Sequence, residues 1–424
     1  MLSIVAFMFR WSTRCTAVLS LAVSCAVPAF AQQAATAASE TQEAAPASSQ
    51  ASSQASSTPS IVLGSSSSIG DSTNSADATQ VVDVVEQAAK PTDRRGHFVI
   101  VPIPFRNALI GAGLVLGAGY LYLPKGATDN TRHSVAALGG MYAEGGSWAA
   151  AAGHRGYWAD QRYRTTLGLG TGEIFYDVDL KLQGSDVKIP LRQEFNGATL
   201  AGSVRVGSHG WVGGGFVYAQ TTVRFDGAPP PPAASADLRA GTEITLANLE
   251  LSGEWDSRDN DLYPTAGFRA ESELSVARQS YGSDDDYETL ELQFNGYRAF
   301  GERNVLAYRV YGKTVGGDPP FFAMAWYGSG GDLRGYTPGT FISKSLICAQ
   351  AEWRWKATAR WGFVGFAGTG TTSDPIGEAE RQWLPSAGVG VRFKILKALN
   401  LNMRADYAWG RDDGTFTLAV GEAF

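Results

Sequence analysis

After its first 31 residues the chain has no uninterrupted apolar run near the roughly 20 residues that a membrane-crossing helix requires, so any membrane residence must be by strands. Cysteine is scarce. Cys15 and Cys25 lie in the leader and Cys348 stands alone, which excludes a disulfide framework and a cysteine-held metal site. His97, His133, His154 and His209 are the only histidines, and none has a serine motif beside it on a matched strand. A Ser–His hydrolase is therefore the least favoured class, and the chain is expected to be neither an enzyme nor a cofactor carrier. Basic charge is not in excess: 35 Lys plus Arg stand against 41 Asp plus Glu, and 30 against 34 from Gly96 onward, so nucleic acid is not an expected partner.

What is present divides the chain in three. Residues 1–31 carry Arg10 and Arg14 ahead of the apolar run Cys15 to Phe30, closing on Ala29-Phe30-Ala31, the pattern of a signal peptide cut before Gln32. A lipoprotein cut before Cys25 is the rival, but Ala22 stands where a large aliphatic residue is wanted. Residues 32–95 are rich in Ala, Ser, Gln and Thr and hold no aromatic residue, so they bury too little to offset ordering entropy and are expected to be a disordered periplasmic tether. Val81, Val82, Val84 and Val85 could make one short docking element there. Residues 96–424 hold all the tyrosines and most of the glycines, and this is where folding should begin.

The period from Gly96 onward is two. Ile347, Ala349, Ala351, Trp353 and Trp355 alternate with Cys348, Gln350, Glu352, Arg354 and Lys356; Phe268, Ala270, Ser272, Leu274 and Val276 alternate with Arg269, Glu271, Glu273 and Ser275. Leu401, Met403, Ala405, Tyr407 and Trp409 alternate with Asn402, Arg404, Asp406 and Ala408. Alternation alone suits a soluble sandwich as well as a barrel with lipid outside and charge within. Strand lengths of about 10–14 residues, aromatics at strand ends and a final segment alternating toward Phe424 favour an all-β, transmembrane antiparallel barrel in the outer membrane. Sixteen candidate strands run from 108–122 to 414–424, including 163–175, 178–188 and 192–207, with Pro102-Ile103-Pro104-Phe105 leading into the first. Pro229 to Pro232 and the segment from Gly316 to Thr340 are too long for periplasmic turns and should point outward or fold inward.

Two passages resemble the barrel of the bacterial surface antigen superfamily, which includes the BamA/TamA type and the transporters of two-partner secretion. Gly330-Gly331-Asp332-Leu333-Arg334-Gly335-Tyr336 is similar to the tip of that family's sixth extracellular loop, and it precedes the twelfth candidate strand. The resemblance implies that this loop folds into the lumen and that Arg334 is held by an acid, for which Glu352 is placed inward on the next strand. The family's second acid, in a Phe-x-Asp-x-Gly segment, is replaced here by Gly368 in Phe366-Ala367-Gly368-Thr369-Gly370. The second passage, Trp255 to Gly267, matches the family's Asp-x-Arg…Pro-x-x-Gly hairpin with Asp256, Arg258, Asp259, Asn260, Pro264 and Gly267, residues that a tight turn favours. Calcium is the rival there, but the spacing and the missing Glu do not suit a hand-type loop. Phe424 resembles the terminal aromatic by which such barrels are recognised for assembly. Only about 60 polar residues precede the barrel, so the chain looks like a short member without polypeptide-transport-associated domains.

Two functions remain open. The resemblance implies a barrel assisting insertion or translocation of polypeptides or lipids, through a weak seam between the first strand, Leu109 to Leu123, and the last, Gly414 to Phe424, with Gly111, Gly113, Gly117 and Gly119 loosening the first. The alternative is a passive small-solute pore or structural surface antigen plugged by the 316–340 loop, with Arg269, Glu271, Glu273, Arg354, Lys356, Arg404 and Asp406 giving a lumen of mixed charge. Expected partners are outer-membrane lipid and lipopolysaccharide, the barrel assembly machinery during biogenesis, and a periplasmic partner not identified by the sequence.

Overall fold

The computed structural model describes residues 96–424 apart from 125–132, 183–184, 228–238, 329–331, 376–382, 397–399 and 412–413. The leader, the tether, Pro229 to Pro232 and Gly330-Gly331 lie outside the described residues. The strands are β1 (His97–Asn107), β2 (Gly111–Tyr122), β3 (Ser134–Ala143), β4 (Trp148–Trp158), β5 (Tyr163–Leu182), β6 (Ser185–Val206), β7 (Gly210–Phe225), β8 (Glu243–Asp256) and β9 (Ala266–Ala277). They continue as β10 (Tyr287–Phe300), β11 (Asn304–Gly317), the two-residue β12 (Ala325–Trp326), β13 (Ile342–Lys356), β14 (Trp361–Pro375), β15 (Trp383–Leu396), β16 (Leu401–Trp409) and β17 (Gly414–Val420). Sequence neighbours pair antiparallel, β11 pairs with β13, and β17 returns to β1, closing a barrel of sixteen long strands.

Period-two patterning decides which side each residue takes. Ile347, Trp353 and Trp355 are exposed on the outer wall, whereas Cys348, Gln350, Glu352 and Arg354 are buried inside. Leu116, Leu138, Leu200 and Val389 extend the apolar exterior around the circuit. A wall that is apolar outside and charged inside is the inverse of a soluble protein and fits lipid as its solvent. Short turns gather at one end, such as 159–162, 207–209 and 301–303; the long connection 318–341 leaves from the other.

The strand count agrees with the sequence expectation, but two segments are assigned differently and their errors cancel. The span from 163 to 207 is one hairpin, β5 and β6, of 20 and 22 residues, where the sequence suggested three strands. Asp177, Asp179, Lys188 and Pro190 look like turn residues, yet Asp177 lies opposite Pro190 in the ladder and Lys188 reaches the Asp177 carboxylate at 3.7 Å. The inner face of this extension is apolar: Tyr176, Val178, Ile189 and Leu191 are buried.

The first strand is His97–Asn107, ahead of the expected 108–122. Pro102 and Pro104 argue against a central strand, and β1 accommodates them because it is nearly an edge. Its ladder with β2 runs through all eleven residues, both prolines included, which puts the two missing N–H donors on the side of β17.

Candidate functional site

The long connection 318–341 descends into the lumen. Phe321, Phe322, Met324 and Trp326 pack with Tyr176, Ile189, Leu191, Val223, Ile244 and Leu246 as an apolar seal beneath the loop end. Deeper, Tyr327, Leu333, Tyr336, Leu346, Cys348 and Leu384 form a second cluster. The Tyr336 hydroxyl donates to the Pro385 carbonyl, and the Arg411 amide donates back to it at 3.2 Å. Gly335 takes φ 106° against the backbone of Trp409 and Gly410, a conformation and an approach that a Cβ would oppose.

These contacts place Arg334 against the inner wall formed by β13 to β16. Its Nη2 donates to Glu352 Oε2 at 2.7 Å, Nη1 to Asp406 Oδ2 at 2.9 Å and Nε to Gln350 Oε1 at 2.7 Å. The guanidinium lies 3.4 Å from the Phe366 ring centroid, and Ser386 Oγ donates to the Arg334 carbonyl. Asp406, Gln350, Phe366 and Ser386 were not singled out from the sequence as partners of Arg334. Their common signal is inward parity on β13 to β16, visible only once the loop is known to end among them.

The pair belongs to a larger lattice. Glu352 Oε1 accepts from Arg354 Nε at 2.7 Å, and Asp406 accepts from Arg392 Nη1 at 2.5 Å and Arg404 Nη1 at 3.1 Å. Glu422 accepts from Arg392 Nε at 2.7 Å and Asn402 Nδ2 at 2.6 Å. Glu352 is 0% exposed and Asp406 1%, so these charges interact with little water between them.

The last residues join this lattice. β17 ends at Val420, short of the expected 424, and the following residues turn inward so that Glu422 reaches Arg392 and Asn402. Arg354 Nη2 donates to the Phe424 main-chain oxygen at 2.7 Å, and the Arg309 guanidinium lies 4.7 Å from the Phe424 ring. Phe424 is therefore buried against Tyr297 and Ala307 inside the wall. The compensation of Arg354 and Arg392 outweighs strand continuation.

The turn between β8 and β9 builds itself from its own polar groups. Asp256 accepts from the Arg258 amide at 3.1 Å, Nε at 2.9 Å and Nη2 at 2.7 Å; Asn260 Oδ1 accepts from the amides of Leu262 and Tyr263 at 3.0 and 2.8 Å. Asp259 accepts from the Thr265 amide at 2.8 Å, the Ala266 amide at 3.1 Å and the Thr265 hydroxyl. Pro264 is buried, and Gly267 takes φ 87° where the chain re-enters β9. Tyr263 thereby reaches across the short-turn mouth, 5.8 Å from both Arg354 and Lys394.

Partial burial raises the Asp259 carboxyl, but the Thr265 and Ala266 donors outweigh it and hold it below the ordinary carboxylate range. A depressed acid contributes stability above its ordinary value, near 4, and loses it as pH falls through the lowered one. Protection of the Thr265 and Ala266 amides, corrected for intrinsic exchange, should fall as the pH is lowered below about 4 and through the depressed Asp259 value. Asp259→Asn should remove that pH dependence; an unchanged profile in the variant would assign it elsewhere.

The circuit closes weakly between β1 and β17. Their register is the single pair Arg106–Leu418, against seven pairs between β16 and β17. Beyond it β1 presents its proline-bearing edge while the end of the chain goes into the lumen. Of the histidines, His154 shares a 2.7 Å hydrogen bond with Tyr122 on the outer wall, and His209 lies against Trp255.

A profile of the Omp85 superfamily domain matches residues 154–424, more than half the chain and the part that carries the loop, the lattice and the turn. The chain belongs to the Omp85 superfamily. Among curated proteins none matches it by sequence. Its fold is similar to that of BamA from Haemophilus ducreyi lacking POTRA domains 1–3, with a TM-score of 0.57 at 12% identity over 78% of this chain and 70% of that one. CdiB from Acinetobacter baumannii follows at TM-score 0.51 and 10% identity over 78% of this chain, and CdiB from Escherichia coli at 0.50 and 8% over 77%. The chain spans 60% and 62% of those two CdiB chains. As an Omp85 barrel it meets its loop arginine with a second acid from β16, Asp406, while Gly368 on β14 leaves room for Leu333.

Proposed function

We propose that this chain is an outer-membrane barrel that inserts or translocates a client, polypeptide or lipid, through the β1–β17 seam. The observation that carries this reading is closure by the single register pair Arg106–Leu418 in a barrel whose lumen holds its own loop and a charge lattice. Opening the seam requires loss of few ladder hydrogen bonds, whereas an axial path would require extracting the loop and separating desolvated ion pairs. In this scheme residues 1–31 direct export and 32–95 tether a periplasmic partner. Arg334, Gly335, Tyr336 and Glu352 lock the loop, Asp256 to Gly267 close the periplasmic mouth, and Phe424 is read by the assembly machinery. Lipid and lipopolysaccharide surround the wall.

The test is a covalent seam. In a Cys348→Ser background, Arg106→Cys with Leu418→Cys should oxidise readily, because directly opposed antiparallel residues lie within disulfide reach. Val101→Cys with Ala423→Cys, which continued pairing would oppose, should not, because Ala423 packs inside with Phe424. Cells relying on the locked barrel should lose outer-membrane integrity and regain it with reductant. A locked barrel that supports cells as well as the open one would leave the passive reading. In planar bilayers the unlocked barrel should give small brief openings; large steady ones would favour the pore.

A further inference from the structure

At the short-turn end, the β13–β14 turn borders an open recess whose walls have an unusual charge balance. Arg354, Lys356, Arg360, Arg392 and Lys394 line it together with Thr358, Asn402 and Tyr263, and no carboxylate does. Arg392 is compensated deeper in the wall by Asp406 and Glu422. Lys356, Arg360 and Lys394 make no ion pair within 4.0 Å among the described residues, and Lys394 Nζ hydrogen-bonds the neutral Asn400 Oδ1 at 2.9 Å. A second observation points the same way. Arg354 is wholly buried, and although Nε and Nη2 are satisfied, Nη1 has no hydrogen-bond partner. Glu352 and Glu422 compensate Arg354 itself, so the cations without an ion pair are Lys356, Arg360 and Lys394, with the spare Arg354 donor beside them.

The other side of the recess is aromatic and faces outward. Trp355, Trp361 and Phe363 line it and are exposed on the outer wall, with Trp355 5.8 Å from Phe363 and Trp361 4.8 Å from Phe393. Arg360 lies 6.0 Å from the Phe393 ring, at the boundary between the aromatic side and the cations. One ligand matches both sides: a phosphate that carries acyl chains. The phosphate would meet Lys356, Arg360 and Lys394, and the chains would run along the Trp355–Phe363 stripe.

We infer that this recess is a binding site for the phosphate headgroup of an anionic phospholipid, seated at the rim of the barrel between the β13–β14 turn and Tyr263. Its assignment to the periplasmic leaflet rests on the membrane orientation proposed above. Binding itself does not require the seam to open, so it can fail or hold independently of that proposal.

The experiment uses the full chain in nanodiscs of equal phosphatidylglycerol and phosphatidylcholine, with retained lipid counted by native mass spectrometry. Each cation near an anionic headgroup contributes about fivefold in occupancy, so the wild type should retain phosphatidylglycerol at least about fivefold over phosphatidylcholine. Lys356→Gln with Lys394→Gln should lower the ratio more than either change alone, with Arg360 leaving a residual preference, Lys356→Arg should preserve it, and Arg303→Gln, a cation on the neighbouring turn, should leave it unchanged. If the double variant does not fold, Lys356→Gln alone, at an exposed position, should still lower the ratio several-fold. Equal retention by the wild type, or a ratio unaltered in the variants, overturns the site. Full displacement by about 10 mM inorganic phosphate, a concentration too low to screen the field strongly, would assign it to free phosphate instead of lipid.

Discussion

Glu352→Ala is expected to abolish the compact, heat-modifiable form of the folded barrel on a cold detergent gel, or to lower its conversion temperature more than any other single change in the lumen. The carboxylate serves Arg334 at 2.7 Å and Arg354 at 2.7 Å, and stands 3.7 Å from Arg392. Removing one partner of a desolvated pair costs about 3–5 kcal/mol because the other charge is left uncompensated, and here the charge left behind is plural. Against a total stability of about 5–15 kcal/mol that is a large share. Arg334→Ala should cost less: Glu352 keeps Arg354, and Asp406 keeps Arg392 and Arg404. The double variant Arg334→Ala, Glu352→Ala should be little worse than Glu352→Ala alone, since the second change removes a charge the first has stranded. Additive losses on the same gel would mean that the two residues act separately.

The same lattice explains which parts of the site could be read before the fold was known. Glu352 was legible because it lies 18 residues from Arg334 on the next long strand, and period two fixes its side of the wall. Asp406 lies 72 residues away and becomes a neighbour only through the successive pairing of β13, β14, β15 and β16. Inward parity was visible for both, but parity gives a side and not a depth. Wall composition was legible for a similar reason, since Ile347, Trp353 and Trp355 against Glu352 and Arg354 need only the alternation.

Strand limits were less legible where polar residues have a use other than turning the chain. In β5 and β6, Asp177, Lys188 and Pro190 continue a ladder beyond the apolar band, and the buried Tyr176, Val178, Ile189 and Leu191 hold that extension over the loop. In β1, two prolines disguised a strand because its unpaired edge made them cheap to accommodate. At the other end, strand-like alternation up to Phe424 gave way to the demand of Arg354 and Arg392 for anionic and carbonyl oxygen. Each departure sits beside the loop or the seam, where the barrel departs from uniform pairing.

Gly368→Asp separates charge from space. It would supply the acid that the family resemblance places on this strand, and if charge were limiting it should tighten the loop. The opposite is expected. A Cβ at Gly368 would overlap Leu333 Cδ1 and crowd the Ala349 carbonyl and Gln350 Cα, and Leu333 is itself buried in the cluster that positions Tyr336 and the loop. Arg334 already has two carboxylates, so a third brings repulsion with Glu352 and Asp406 rather than a missing partner. Overpacking of this kind costs about 1–3 kcal/mol before the buried charge is counted. The loop should leave the lumen, and trypsin added from the loop side should then cut after Arg334, whose side chain is only 9% exposed in the locked state. Leu333→Ala in the Gly368→Asp background should restore part of the protection, because it removes the side-chain overlap while the Ala349 carbonyl remains in the way. If Gly368→Asp instead raises the conversion temperature and leaves Arg334 protected, the lock is limited by charge and not by room.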